Sequence, residues 1–122
     1  MGLALLRQRD IPAMVLSTEV NPIVSARCRK LNLPALQGLD DKAKALSEIA
    51  AQKGLDLDRV IYVGNDINDL ECMKLAGFAI AVADAHPSVL NFADLALSRS
   101  GGHGAVREVC DLLLVHLNRE NL

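Results

Sequence analysis

The chain has 122 residues, of which 51% are hydrophobic and 2% aromatic, and a formal net charge of −2. That length holds one domain with a modest core built from Leu, Val, Ile and Ala, which suits a parallel α/β sheet better than a β-sandwich. The charge argues against a broad surface for nucleic acid or anionic membrane, no apolar run reaches transmembrane length, and no basic-then-apolar leader opens the chain.

In chain order, residues 2–8 read as the end of a helix. Residues 12–17, an apolar run behind Pro12, read as a buried strand. Asn21-Pro22 reads as the start of a helix running to about Leu31, and Ala35-Leu36-Gln37 as a very short strand. Asp40 or Asp41 caps the next helix, which Gly54 ends. Arg59 to Val63 is a buried strand, with Gly64 as the turn that ends it. A helix over 66–76 follows, with Leu70, Met73 and Leu75 as its apolar contacts and Gly77 closing it. Residues 78–82 form another buried strand, Pro87 opens a short helix, and 94–97 form a last strand. Gly101 to Gly104 is a loop, and Val106, Val109, Leu112, Leu113 and Leu117 give helical spacing from Ala105 to about Leu117. The cysteines, Cys28, Cys72 and Cys110, form no CxxC pair or zinc pattern and read as small buried hydrophobes in a reduced cytoplasm.

Alternating strands and helices predict a doubly wound parallel sheet with right-handed crossovers. The C-terminal ends of its strands share one rim, where Ser17, Asn65, Asp66 and Asp84 can meet. Asp69 follows one helical turn on. Acids gathered there repel one another unless a proton or cation joins them, and Asp and Asn oxygens suit Mg²⁺. Ser17 can bond a phosphate through its hydroxyl, and Lys42 can balance phosphate charge as a point cation. Each residue also has a plainer reading. Asp66 alone is an N-cap, Asp69 alone a first-turn acid, Ser17 a strand-end hydroxyl and Lys42 a solvated lysine. Asp84 caps a helix or holds a loop near a metal. His86, before Pro87, reads as a loop residue, and Arg107 pairs with a neighbouring acid or reaches an anion. It is the spaced set that points to phosphoryl transfer.

Ser17, Lys42 and Gly64-Asn65-Asp66-Ile67-Asn68-Asp69 resemble motifs two, three and four of the haloacid dehalogenase superfamily. More narrowly, Ala83-Asp84-Ala85-His86-Pro87 and Gly101-Gly102-His103-Gly104-Ala105-Val106-Arg107-Glu108 resemble the capless phosphatases of sialic-acid and KDO metabolism. These include the KDO 8-phosphate phosphatases and the phosphatase-like C-terminal domain of some N-acylneuraminate cytidylyltransferases. The resemblance implies an HAD-like Rossmannoid fold and a Mg²⁺-dependent phosphatase of a sugar acid phosphate. In it Ser17 bonds the phosphoryl group and Lys42 balances its charge. Asn65, Asp66 and Asp69 stand at the metal, and Gly64, Asp84 and Arg107 are candidate substrate contacts. It also implies a homotetramer.

Two departures qualify it. Asn65 occupies an acidic position of the family and resembles the sialate-type wording. The family's first motif, the Asp-x-Asp that supplies the nucleophile, has no counterpart before Ser17, and Asp56-Leu57-Asp58 falls at the opposite rim. The chain therefore reads as one N-terminally incomplete domain over 1–122 that lacks the central strand, with a gap between the strands at 12–17 and 59–63. A truncated chain, half of a split protein and a degenerate relative kept for assembly or phosphate binding are the open readings of that absence.

Overall fold

A computed structural model of the chain describes residues 14–16, 26, 29 and 34–98. In order the elements are β1 (Val15–Leu16), β2 (Ala35–Leu36), α1 (Lys42–Lys53), a 3₁₀ turn (Leu57–Arg59), β3 (Ile61–Gly64), a second 3₁₀ turn (Ile67–Asp69), α2 (Leu70–Leu75), β4 (Phe78–Ala81), α3 (Pro87–Phe92) and β5 (Leu95–Ala96). Ala26 and Arg29, inside the predicted helix ending near Leu31, are helical. The predicted helices at 2–8 and 105–117 lie outside the described residues, as does the glycine loop at 101–104.

The strand pairing among the described residues is parallel, as the alternation predicts. Among the described residues it forms two ladders, β1-β2 and β3-β4-β5. The break between β1 and β3 falls where the sequence reading puts its gap. In the larger ladder Tyr62 pairs with Ala79 and Gly64 with Ala81, so these four share one face of the sheet. Met73 of α2 covers that face, its sulfur close to Gly64. Met73, Ala79, Ile80, Ala81, Val82, Ala85, Val89 and Leu97 form the core, flanked by half-buried Tyr62 and Leu70. Burial of a side chain such as Met73 or Val89 stabilises by about 2 kcal/mol. No helix among the described residues is long and apolar enough to cross a membrane.

Local chemistry sets the element ends. Asp41, not Asp40, caps α1, its carboxylate accepting from Lys44 N–H at 3.1 Å. At the other end Gly54 adopts φ 65°, and the N–H groups of Gly54 and Leu55 return to Ala51 and Ala50 carbonyls. His86 caps α3 ahead of Pro87, its Nδ1 accepting from Ser88 N–H.

Three expectations need correction. Gly64 does not turn the chain; it is the last residue of β3, and its carbonyl accepts from Val82 N–H at 3.2 Å. It must be glycine because a Cβ there would meet Asp69 Cβ at 2.9 Å and Met73 Sδ at 2.8 Å. The helix over 66–76 is a 3₁₀ turn followed by a shorter α2, in which Cys72 and Met73 are buried and Leu75 is exposed. Gly77 does not cap that helix. Its N–H donates to Leu57 carbonyl at 2.8 Å, and a Cβ would run into the backbone of Asp58.

The two glycines should therefore respond differently to alanine. Gly54→Ala places a side chain in open space and adds only left-handed strain, about 1 kcal/mol. Gly77→Ala forces backbone apart and is expected to cost more than about 2 kcal/mol. Urea unfolding of both variants checks the order; equal losses contradict the close approach.

Candidate phosphate and metal site

The end of β3 and the start of α1 meet at one carboxylate. Asp69 is only 3% exposed and has donors on both oxygens. Oδ2 accepts from Asn65 N–H at 2.9 Å and from Asp66 N–H at 3.2 Å. Oδ1 accepts from Tyr62 O–H at 2.6 Å and from Lys42 Nζ at 2.9 Å. The backbone bonds close a capping box between Asp66 and Asp69, which bends the chain off the strand into the 3₁₀ turn.

Electrostatics follow from these contacts. Burial opposes charge on Asp69, but the Tyr62 phenol, the Asn65 N–H and Lys42 more than offset it and hold the carboxyl below its ordinary value of 3.8. Burial, and then the bond to the Asp69 carboxylate, push the Tyr62 phenol far above its ordinary range, so it remains a donor. Burial also raises the thiol of Cys72, which is free and fully buried as expected. Cys28 and Cys110 lie outside the described residues.

Lys42 is the first residue of α1, and its side chain is 10% exposed. Its ammonium reaches Asp69 at 2.9 Å and Asn68 Oδ1 at 3.3 Å. A lysine has three donors, so one remains for an anion at the rim after these two contacts. Sequence spacing alone does not join Lys42 to Asp69, 27 residues on.

Of the proposed metal ligands, Asn65 and Asp66 are exposed, whereas Asp69 is buried with both oxygens engaged. Asp66 also fills the plainer role weighed for it, since its Oδ1 caps the turn by accepting from Ile67 N–H at 2.7 Å. Asp84 lies in the exposed turn after β4, on the same edge as Asn65. A bond from His86 N–H to the Asn65 carbonyl, 2.9 Å, ties the two loops together. Ser17 and Arg107 lie outside the described residues.

No cluster of three or more His, Cys, Asp or Glu suited to a metal exists among the described residues. The exposed carboxylate of Asp66 and the amide oxygen of Asn65 nevertheless fit a hard cation that keeps most of its waters and shares a phosphate. They do not make a closed cage. Tyr62, whose phenol holds the carboxylate, is the site residue that sequence reasoning missed. Its only signal was a polar group inside an otherwise apolar strand.

Asp69 should make stability depend on acid. Its pKa is lower in the folded chain than in the unfolded one. Its contribution is therefore complete above the unfolded value of 3.8 and is lost as pH falls through the lower folded value. Thermal melts from about pH 6 to about pH 2 are expected to show a steady gap between wild type and Asp69→Asn that closes only below about pH 4. Asp69→Ala, which strands buried Lys42, is expected to cost about 3 kcal/mol.

The family model for haloacid dehalogenase-like hydrolases matches residues 34–108. The chain is 39% identical over 107 residues to 3-deoxy-D-manno-octulosonate 8-phosphate phosphatase KdsC of Escherichia coli K12, covering 87% of this chain and 57% of that protein. The chain thus spans little more than half the length of that relative. Among solved structures, the KDO 8-phosphate phosphatase of Moraxella catarrhalis, in complex with magnesium, phosphate and KDO, superposes with a TM-score of 0.87 at 34% identity. That match covers 93% of this chain and 66% of that one. The cobalt-bound phosphatase of Haemophilus influenzae gives a TM-score of 0.85 at 35% identity, covering 93% and 67%.

Proposed function

The chain belongs to the haloacid dehalogenase-like hydrolases, and from that premise we propose that it forms the phosphate- and metal-holding part of a Mg²⁺-dependent phosphatase of a KDO-type sugar acid phosphate. The observation that carries this reading is the Lys42–Asp69 pair at 2.9 Å. It fixes a cation beside two exposed metal-type oxygens at the C-terminal rim of a parallel sheet.

In this reading Lys42 binds a phosphate oxygen with its remaining donor and balances charge that grows on the phosphoryl group. Asp66 and Asn65 would hold the cation, which supplies Lewis-acid stabilisation of phosphate charge when bound. Asp69 keeps Lys42 in place. Asp84, on the loop clipped to Asn65, Gly64 at the strand end, and Ser17 and Arg107 from the family pattern would complete the contacts with phosphate and sugar. The substrate class is supported by relatives that act on KDO 8-phosphate. A sialate-type substrate, with the chain as a cytidylyltransferase's phosphatase-like domain, is the second reading, favoured by the amide at Asn65. A tetramer, whose subunits complete one another's sites, accompanies either reading.

Phosphate release from KDO 8-phosphate with Mg²⁺ tests the proposal, using the 122-residue chain alone and extended at its N-terminus by the Asp-x-Asp strand of a relative. The extended chain is expected to release phosphate, and Lys42→Met to lower the rate at least about a hundredfold. No release from the extended chain rejects the enzyme reading in favour of an assembly or phosphate-binding module. Release from N-acylneuraminate 9-phosphate alone selects the sialate branch. By calorimetry, Asn65→Asp should tighten Mg²⁺ by about tenfold, since it adds a ligand charge, and Asp66→Ala should abolish binding.

A further inference from the structure

We propose that Tyr62 is a positioning residue for Lys42, acting through Asp69. The inference rests on the phosphate-site reading above only for its functional consequence.

Tyr62 sits in the middle of β3, on the face that α2 covers. Its hydroxyl donates to Asp69 Oδ1 at 2.6 Å, the same oxygen that receives the Lys42 ammonium at 2.9 Å. The carboxylate thus has three neutral donors, one phenol and two backbone N–H groups, and a single cationic one. Neutral donors disperse the charge of Asp69 without adding charge of their own. Lys42 is therefore held by a carboxylate that is already partly satisfied, and more of its field is left for an anion. The phenol also fixes where Oδ1 lies. The backbone bonds hold the other oxygen, so the phenol adds the only neutral restraint made directly on Oδ1. A phenylalanine would fill the same space in the sheet, so packing alone does not explain the hydroxyl.

The test separates positioning from packing and from the functional reading. Lysine side chains are labelled with ¹³C at Cε, and the order of Lys42 is read by NMR relaxation in wild type, Tyr62→Phe, Asp69→Asn and the double variant, with Tm recorded for each. Tyr62→Phe is expected to keep its fold and to lower Lys42 order clearly. In the Asp69→Asn background, where the link is already cut, Tyr62→Phe should have no further effect. Unchanged Lys42 order in Tyr62→Phe overturns the proposal. So does an equal loss in both backgrounds, since that outcome would make Tyr62 a packing residue. Should Tyr62→Phe fail to fold, the cycle is run with Tyr62→His, which retains an N–H donor and is expected to keep Lys42 more ordered than Tyr62→Leu; equal order in those two overturns it as well. In parallel, inorganic phosphate is titrated with Mg²⁺ by calorimetry, and Tyr62→Phe is expected to weaken binding about fivefold. Absence of phosphate binding by the wild type would reject the phosphate-site reading while the relaxation cycle still decides the role of Tyr62.

Discussion

A single buried carboxylate organises this site. An ionised acid at 3% exposure survives only if every lone pair that faces protein finds a donor, and Asp69 meets that demand with donors from three places. The phenol comes from the middle of β3, the ammonium from the first residue of α1, and the two N–H groups from the residues that follow β3. To satisfy the charge, the chain must bring the start of α1 against the end of β3. The same requirement shapes the 3₁₀ turn and leaves room for no side chain at position 64. Electrostatic need and steric limit thus point to one geometry, and the exposed oxygens of Asn65 and Asp66 sit on top of it.

Which parts were legible in the sequence follows from the range of the forces involved. α1 was readable nearly to the residue, because its ends are set by local chemistry, Asp41 at one and Gly54 at the other. The parallel sheet and its rim followed from alternation, which constrains topology without knowledge of contacts. Gly64 and Gly77 were read as turn and cap, the usual local meanings of glycine. Both are demanded instead by neighbours close in space but removed along the chain, Met73 and Asp69 for one, and the Asp58 backbone for the other. Asp66 and Asp69 look alike in sequence, two acids three residues apart, yet one is exposed and one buried. Only the arrival of Lys42 and Tyr62 separates them, and no periodicity encodes that.

The ladder break between β1 and β3 bears on how the two halves of the rim are held. Among the described residues no strand pairing crosses it, and α1 packs near both sides. The Lys42–Asp69 ion pair is therefore a tie between the β2–α1 connection and the β3–β4–β5 unit, as well as a feature of the site. Apart from the Tyr62 hydroxyl β3 is apolar, yet Ile61 and Val63 on its outer face are more than a third exposed. A largely apolar strand of this kind suits the interior of a parallel sheet better than an edge.

The amide at Asn65 fits this arrangement. With Asp69 satisfied by its donors and Asp66 carrying an exposed charge, an acid at 65 would place a second carboxylate beside it, where each raises the pKa of the other unless a cation intervenes. The amide removes that repulsion and keeps an oxygen for a hard cation. Its backbone has other duties, the N–H bonding Asp69 and the carbonyl accepting from His86. Position 65 thus joins the buried carboxylate to the loop that carries Asp84. Because the main chain makes both links, they hold whichever side chain stands there. The side chain at 65 is accordingly free to vary without unsettling the frame that Asp69, Tyr62 and Lys42 provide.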